Sequence, residues 1–134
     1  MSRISLFMLL SFVSMLALSC KKGPGEGGNS SITGAVKVIQ YNAFYTIVTG
    51  EYVGADEEVF IIYGDDISYG DRVFASPDGR FEFKYLRKGN YRLYVYSGDT
   101  TLSDTVGKIA VFKDVEITEK DQVVDVGTFE IKNN

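Results

Sequence analysis

From residue 32 onward the apolar and polar positions change with a period of two. Ile32, Gly34, Val36 and Val38 alternate with Thr33, Ala35, Lys37 and Ile39, the pattern of a strand with two unlike faces. Residues 44–49 read as further extended chain ahead of Gly50, and Val59-Phe60-Ile61-Ile62-Tyr63 is apolar at every position, as in a central strand covered on both sides. Residues 72–76 make a short strand that runs into Pro77-Asp78-Gly79. There proline presets φ for the first central position of a turn and glycine accepts positive φ. Phe81, Phe83 and Tyr85 then share one face, Lys88-Gly89-Asn90 turns the chain, and Tyr91, Leu93 and Val95 share the next inner face. Residues 109–117 and 123–131 complete the series across the turn at 118–121. Helical periodicity is nearly absent. About seven short strands with regular turns predict an all-β chain folded as a two-sheet antiparallel sandwich.

The first thirty-one residues follow another pattern. Arg3 precedes a run from Ile4 to Leu18 interrupted only by Ser5, Ser11 and Ser14, about 15 residues against a bilayer core of about 30 Å. That is the build of a secretory signal peptide. Leu16-Ala17-Leu18-Ser19-Cys20 ends the run, and Lys21-Lys22 follow at once. This stretch resembles the lipobox of bacterial lipoproteins, with Ser19 as the small residue before the cut and Ala17 where the commonest pattern has leucine. The resemblance implies lipid attachment at Cys20, a stable anchor once two or three acyl chains are present, and a place in the bacterial envelope. Lys21, where an acidic residue would signal retention at the inner membrane, is compatible with the outer membrane. KKGPGEGGNSS cannot bury enough apolar surface to stay ordered. It is expected to be a tether reaching on the order of 20 Å. The expected organisation is thus signal peptide 1–19, acylated cysteine and tether 20–31, and one sandwich domain 32–134.

Composition narrows the chemistry. Among 134 residues there are 14 Lys+Arg, 18 Asp+Glu, no His, no Trp and one Cys. The missing histidines remove the commonest general base and metal ligand. A lone cysteine excludes an intramolecular disulfide, an iron–sulfur cluster and a thiolate zinc site. The net charge of −4 argues against nucleic acid as a partner, which calls for clustered positive charge. No cofactor is implied.

The stretch SPDGRFEFKYLRKGNYRLYVY, residues 76–96, resembles the carboxypeptidase regulatory-like domains, whose fold is a prealbumin-like (transthyretin-like) β-sandwich with Greek-key topology. The shared positions are Asp78-Gly79, Phe81-Glu82-Phe83, Leu86, Gly89 and Tyr91-Arg92-Leu93-Tyr94-Val95, with Gly54-Ala55 and the opening Ile32-Thr33-Gly34-Ala35-Val36 upstream. The likeness covers residues 32–95. Residues 41–53 form a longer insertion, and the last two strands match only in general pattern. Turns and core positions carry this motif, so it speaks for fold far more than for function.

Several residues remain as candidates for chemistry. Seventeen carboxylates between residues 32 and 134 could supply a glycosidase pair, but so many guarantee close pairs by chance. Asp56-Glu57-Glu58 and Asp65, Asp66 and Asp71 flank the central strand in loops where calcium could bind, or where Asp merely favours turns. Lys37 sits where related adhesin domains form an isopeptide crosslink, but Val95 stands at the assisting glutamate position, so Lys37 reads as an exposed strand residue. Tyr94 and Tyr96 face away from Leu93 and Val95, and Tyr41, Tyr45, Tyr52, Tyr63 and Tyr69 fall near the insertion. Tyrosine suits contact with sugars or proteins as well as packing at core edges. Lys84, Arg87, Lys88 and Arg92 gather around one turn, either as a solvated edge or as a dock for an acidic partner. Asp99-Thr100-Thr101 and Asp104-Thr105-Val106 resemble the O-glycosylation pattern of Bacteroidetes, which makes Thr100 and Thr105 candidate modification sites. Together these features predict a non-catalytic, lipid-anchored envelope protein whose sandwich is an accessory or protein-interaction module. The alternative is a small surface lipoprotein that binds a glycan or calcium.

Overall fold

The computed structural model describes residues 22–100 and 107–134. The expected signal peptide, Cys20 and Thr105 lie outside the described residues. Eight strands follow one another: β1 (Glu26–Tyr41), β2 (Val48–Val53), β3 (Glu58–Tyr63), β4 (Asp71–Phe74), β5 (Arg80–Leu86), β6 (Gly89–Gly98), β7 (Lys108–Ile117) and β8 (Val123–Asn133). They form two four-stranded sheets, so the two-sheet sandwich read from the alternation is what the chain adopts. One sheet runs β4-β3-β6-β7 with every pair antiparallel. The other is built around β1, which pairs with β8 along one edge and on the opposite edge with β5 and then β2. The β1–β8 pair is parallel, the one departure from antiparallel pairing among the described residues.

The inner faces meet in a single core. Ile32, Ile61, Leu93 and Phe129 are completely buried, with Val59, Phe83, Leu86, Val95 and Ile117 around them. Each such side chain contributes about 1.5–3 kcal/mol of transfer free energy. The period-two pattern holds in β1, where Ile32, Gly34, Val36 and Val38 point inward.

Two bulges break that period. In β5 Tyr85 has φ 59° and is 68% exposed, while Leu86 is buried. Tyr85 therefore does not share the face of Phe81 and Phe83, because the kink moves the next residue inward in its place. In β8 the register with β1 slips by one residue between Thr33 and Ala35. Gly127 takes φ 79° there, and its N–H donates to Asp125 Oδ1 at 2.8 Å. Val124 and Val126 before the bulge, and Phe129 and Ile131 after it, all reach the core, which an unbroken strand would forbid.

Three other expectations change. The supposed tether is strand from Glu26, and Ser30 and Ser31 are buried. Polar partners make that burial tolerable: Ser30 Oγ donates to Glu119 O at 3.0 Å and accepts Gln122 N–H at 3.1 Å, while Ser31 N–H donates to Gln122 O at 2.9 Å. Composition alone missed this, since the backbone and hydroxyls, not apolar side chains, hold the segment. Residues 44–47 turn instead of extending. Asn42 N–H donates to Ile47 O and Tyr45 N–H to Asn42 O, both at 2.9 Å, and the insertion becomes the β1–β2 hairpin. Finally, among the described residues no second layer of chain covers the outer side of β3; Tyr94 and Tyr96 of β6 and Tyr69 of the β3–β4 connection pack against Phe60 instead.

The switch from β5 to β2 along β1 occurs at Val36, whose N–H donates to Gly79 O at 2.7 Å and whose O accepts Gly54 N–H at 2.9 Å. A Cβ on Gly79 would stand 2.5 Å from Val53 Cγ1 and 2.7 Å from Val36 O, at φ +77°. Gly79→Ala is therefore expected to cost at least about 1–2 kcal/mol, read from the denaturation midpoint. Gly50→Ala, with open space around it, should stay within about 0.5 kcal/mol.

Tyr63 packs edge-on against Tyr91 at 5.9 Å, and its hydroxyl is buried with no hydrogen-bond partner among the described residues. Burial, then the nearby charges of Glu26 and Asp71, push its phenol up to about 12. The fold keeps that proton more tightly than the unfolded chain does. The associated stability is full below the unfolded value near 10 and is lost as pH climbs through 12. Tyr63→Phe should leave stability at pH 7 unchanged or raise it by about 1 kcal/mol. It should also shrink the alkaline fall seen in a stability–pH profile.

Candidate functional site

In a two-layer sandwich the outer faces meet water and should be polar. The outer face of the β1 sheet is mainly polar, although Val53 and Tyr85 are exposed in this sheet. Lys37 Nζ lies 3.1 Å from Glu130 and 3.5 Å from Glu51, and Lys84 lies 3.7 Å from Glu82. The hydrogen bond from Lys37 to Glu130 holds its ammonium above the usual lysine range. Lys37 thus belongs to a surface ion cluster on the side of β1 opposite Val36 and Val38, and Val95 lies in the core.

The outer face of β4-β3-β6-β7 is aromatic instead. Register places Phe60 opposite Tyr94, and Tyr94 opposite Phe112. Phe60 and Tyr94 stack at 4.8 Å with 8° between planes. Tyr69 and Tyr96 meet Phe60 edge-on at 5.0 and 5.7 Å, and Phe112 lies 5.4 Å from Tyr94. Phe60, at the centre, is only 6% exposed. Tyr69, Phe74, Tyr96 and Phe112 are each about half exposed. At about 200 Å² per ring they offer roughly 400 Å² of aromatic surface to solvent, the scale of a functional patch.

Ion pairs border the patch. Arg92 donates through Nε to Asp114 Oδ1 at 2.6 Å and through Nη2 to Oδ2 at 3.3 Å, and its guanidinium lies 5.5 Å from the Phe112 ring. The Arg92 hydrogen bond holds the Asp114 carboxyl below the usual range. Across the sheet Arg72 Nη1 bonds Glu58 Oε1 at 2.5 Å. Beside Arg92 and Asp114 lies a shallow depression of about 630 Å³ that also takes in Asp65, Asp66 and Glu116.

The structure disperses several groups that sequence proximity joins. Tyr69, Tyr94 and Tyr96 come together, whereas Tyr41 pairs with Tyr45 at 5.7 Å on the hairpin and Tyr63 joins Tyr91. Lys84, Arg87 and Arg92 likewise part company: Lys84 faces out from β5, Arg87 turns to the N-terminal segment and Arg92 joins the aromatic face. Among the described residues no three carboxylates converge to hold a metal ion, and no helix is long and apolar enough to cross a membrane. Thr100 lies half-buried just beyond β6. Sequence reading missed Phe60 and Phe112 as parts of the patch. Their signal was an aromatic at the outer position of two strands.

Among solved structures the chain is similar to a Pseudomonas aeruginosa protein named a "putative carbohydrate binding protein". The TM-score is 0.47, with 12% identity over 81% of this chain and 91% of that chain. No family model and no curated protein matches the chain.

The exposed rings should be dispensable for folding. Phe112→Ser combined with Tyr96→Ser is expected to change unfolding free energy by less than about 1 kcal/mol and to abolish binding of a hydrophobic dye such as anilinonaphthalene sulfonate. Phe60→Ala, at the buried centre, should cost about 3–5 kcal/mol.

Proposed function

We propose that the chain is a non-catalytic lipoprotein of the bacterial envelope, anchored through Cys20, whose sandwich recognises a protein partner with the aromatic face of β4-β3-β6-β7. The observation that carries this reading is the cluster of half-exposed rings on one outer face, bordered by ion pairs, which the outer face of the β1 sheet does not repeat among the described residues. Such a patch of roughly 400 Å² is half of one side of a standard protein interface, and tyrosine, phenylalanine and arginine are the residues such interfaces favour. The lipobox-like Leu16-Ala17-Leu18-Ser19-Cys20 supports the anchor, and the carboxypeptidase regulatory-like motif supports an accessory domain. Anchoring would raise the local concentration of the domain near partners in the same membrane.

Photo-crosslinkers placed at Phe112 or Tyr96 in the full-length protein in its native envelope should trap one stoichiometric protein. The same probe at Glu82, on the opposite outer face, should trap none. Equal trapping at both positions, or saturable glycan binding lost with Tyr69→Ala and Tyr96→Ala, would replace the protein reading. Labelled fatty acid should enter the wild-type chain and not Cys20→Ser; incorporation that persists in the variant removes the anchor.

A further inference from the structure

Basic side chains gather at the end of the domain where the chain enters. Arg87 fastens the N-terminal segment: its Nε donates to Gly23 O at 2.7 Å, its Nη1 to Glu26 O, and its backbone N–H to Gly25 O at 2.9 Å. Gly25 N–H donates to the Tyr91 hydroxyl at 2.9 Å, and that hydroxyl donates to Arg87 O at 2.6 Å. The docked chain therefore begins three residues after Cys20, which spans at most about 10 Å. With Cys20 as the anchor, this end of the sandwich is the one nearest the attachment point.

Beside the docked segment is a pocket of about 370 Å³ lined by Lys22, Arg87, Lys88 and Lys120 with the backbone of Gly27 and Gly28. No acidic residue lines it, although the domain from residue 32 carries a net charge of −6. Asp65 and Asp66, at the same end, line the separate depression beside Arg92; Glu119 and Asp121 flank Lys120 in the chain. Lys22, Lys88 and Lys120 make no ion pair among the described residues. Glu26 and Ser30 both register against Leu86, so residues 27–29 form an irregularity in the β1–β5 ladder beside the pocket. Clustered cations of this kind suit a phosphate oxygen.

We propose that this pocket seats the phosphate of an anionic membrane lipid headgroup and so fixes the orientation of the domain on the membrane. The inference rests on the anchor reading, because only attachment at Cys20 brings the pocket to a lipid surface. Held there, the aromatic face, which runs along the side of the sandwich, is displayed laterally toward partners in the same membrane.

The test uses the acylated protein purified from its membrane and reconstituted in two kinds of vesicle. One is phosphatidylcholine alone; the other is an equal mixture of phosphatidylcholine and phosphatidylglycerol. A water-soluble amine reagent followed by mass spectrometry reads each lysine. Lys88 and Lys120 should label about fivefold more slowly in the mixed vesicles, the effect of an anionic surface on one nearby cation. Lys108 and Lys132, at the far end, should label equally in both, and high salt should erase the difference. In Lys88→Ser/Lys120→Ser the protection of Lys22 by phosphatidylglycerol should disappear. Equal labelling of Lys88 and Lys120 in both vesicles overturns the proposal. Protection by inorganic phosphate without any by phosphatidylglycerol overturns the lipid source. The intact mass reports acylation separately, so loss of the anchor reading is seen on its own; the same labelling of unacylated chain with dissolved short-chain phosphatidylglycerol then decides the pocket.

Discussion

Everything in the sandwich is referred to β1. It hydrogen-bonds along both edges, to β8 on one side and to β5 and then β2 on the other, and its inner face supplies Ile32, Val36 and Val38 to the core. One strand with three partners needs a point where two of them give way to each other without leaving buried amides unpaired, since each orphan would cost about 1–3 kcal/mol. Val36 is that point. Its N–H and O are taken by Gly79 and Gly54, and a side chain on either glycine would collide with the junction. Two turns distant in sequence are thereby locked to one residue, and the rest of the β1 sheet takes its register from them.

The same architecture explains why the two outer faces can differ so sharply. The β1 sheet is held by its pairing and by the core, so its exterior is free to carry ion pairs such as Lys37–Glu130, which add little stability in water. In the β4-β3-β6-β7 sheet, Phe60, Tyr94 and Phe112 stand opposite one another on the outer side. Burying Phe60 beneath its neighbours recovers part of the hydrophobic free energy, but the outer rings keep about half their surface in water. The fold draws little stability from that exposed half, which is the feature the proposed recognition role rests on. The docked N-terminal segment, held by Arg87 and Tyr91, fixes this face relative to the point where the described chain enters the domain.

The alternation of apolar and polar residues by itself determined the all-β class, the two-sheet sandwich, the turn at Pro77-Asp78-Gly79 and most of the core. Period-two burial is a local property that each strand writes into its own residues. The outward direction of Tyr94 and Tyr96 followed from the same rule. Tertiary structure alone decided what depends on partners remote in sequence. It put Glu26 through Ser31 into β1, because the bonds that hold Ser30 and Ser31 come from Glu119 and Gln122. Tyr85 was turned out and Leu86 in, and Phe129 and Ile131 were carried to the core past Gly127, because a bulge answers to register with the neighbouring strand. Tyr69, Phe60, Tyr94 and Phe112 were gathered from four separate stretches into one patch, since only pairing across strands brings such residues within contact distance.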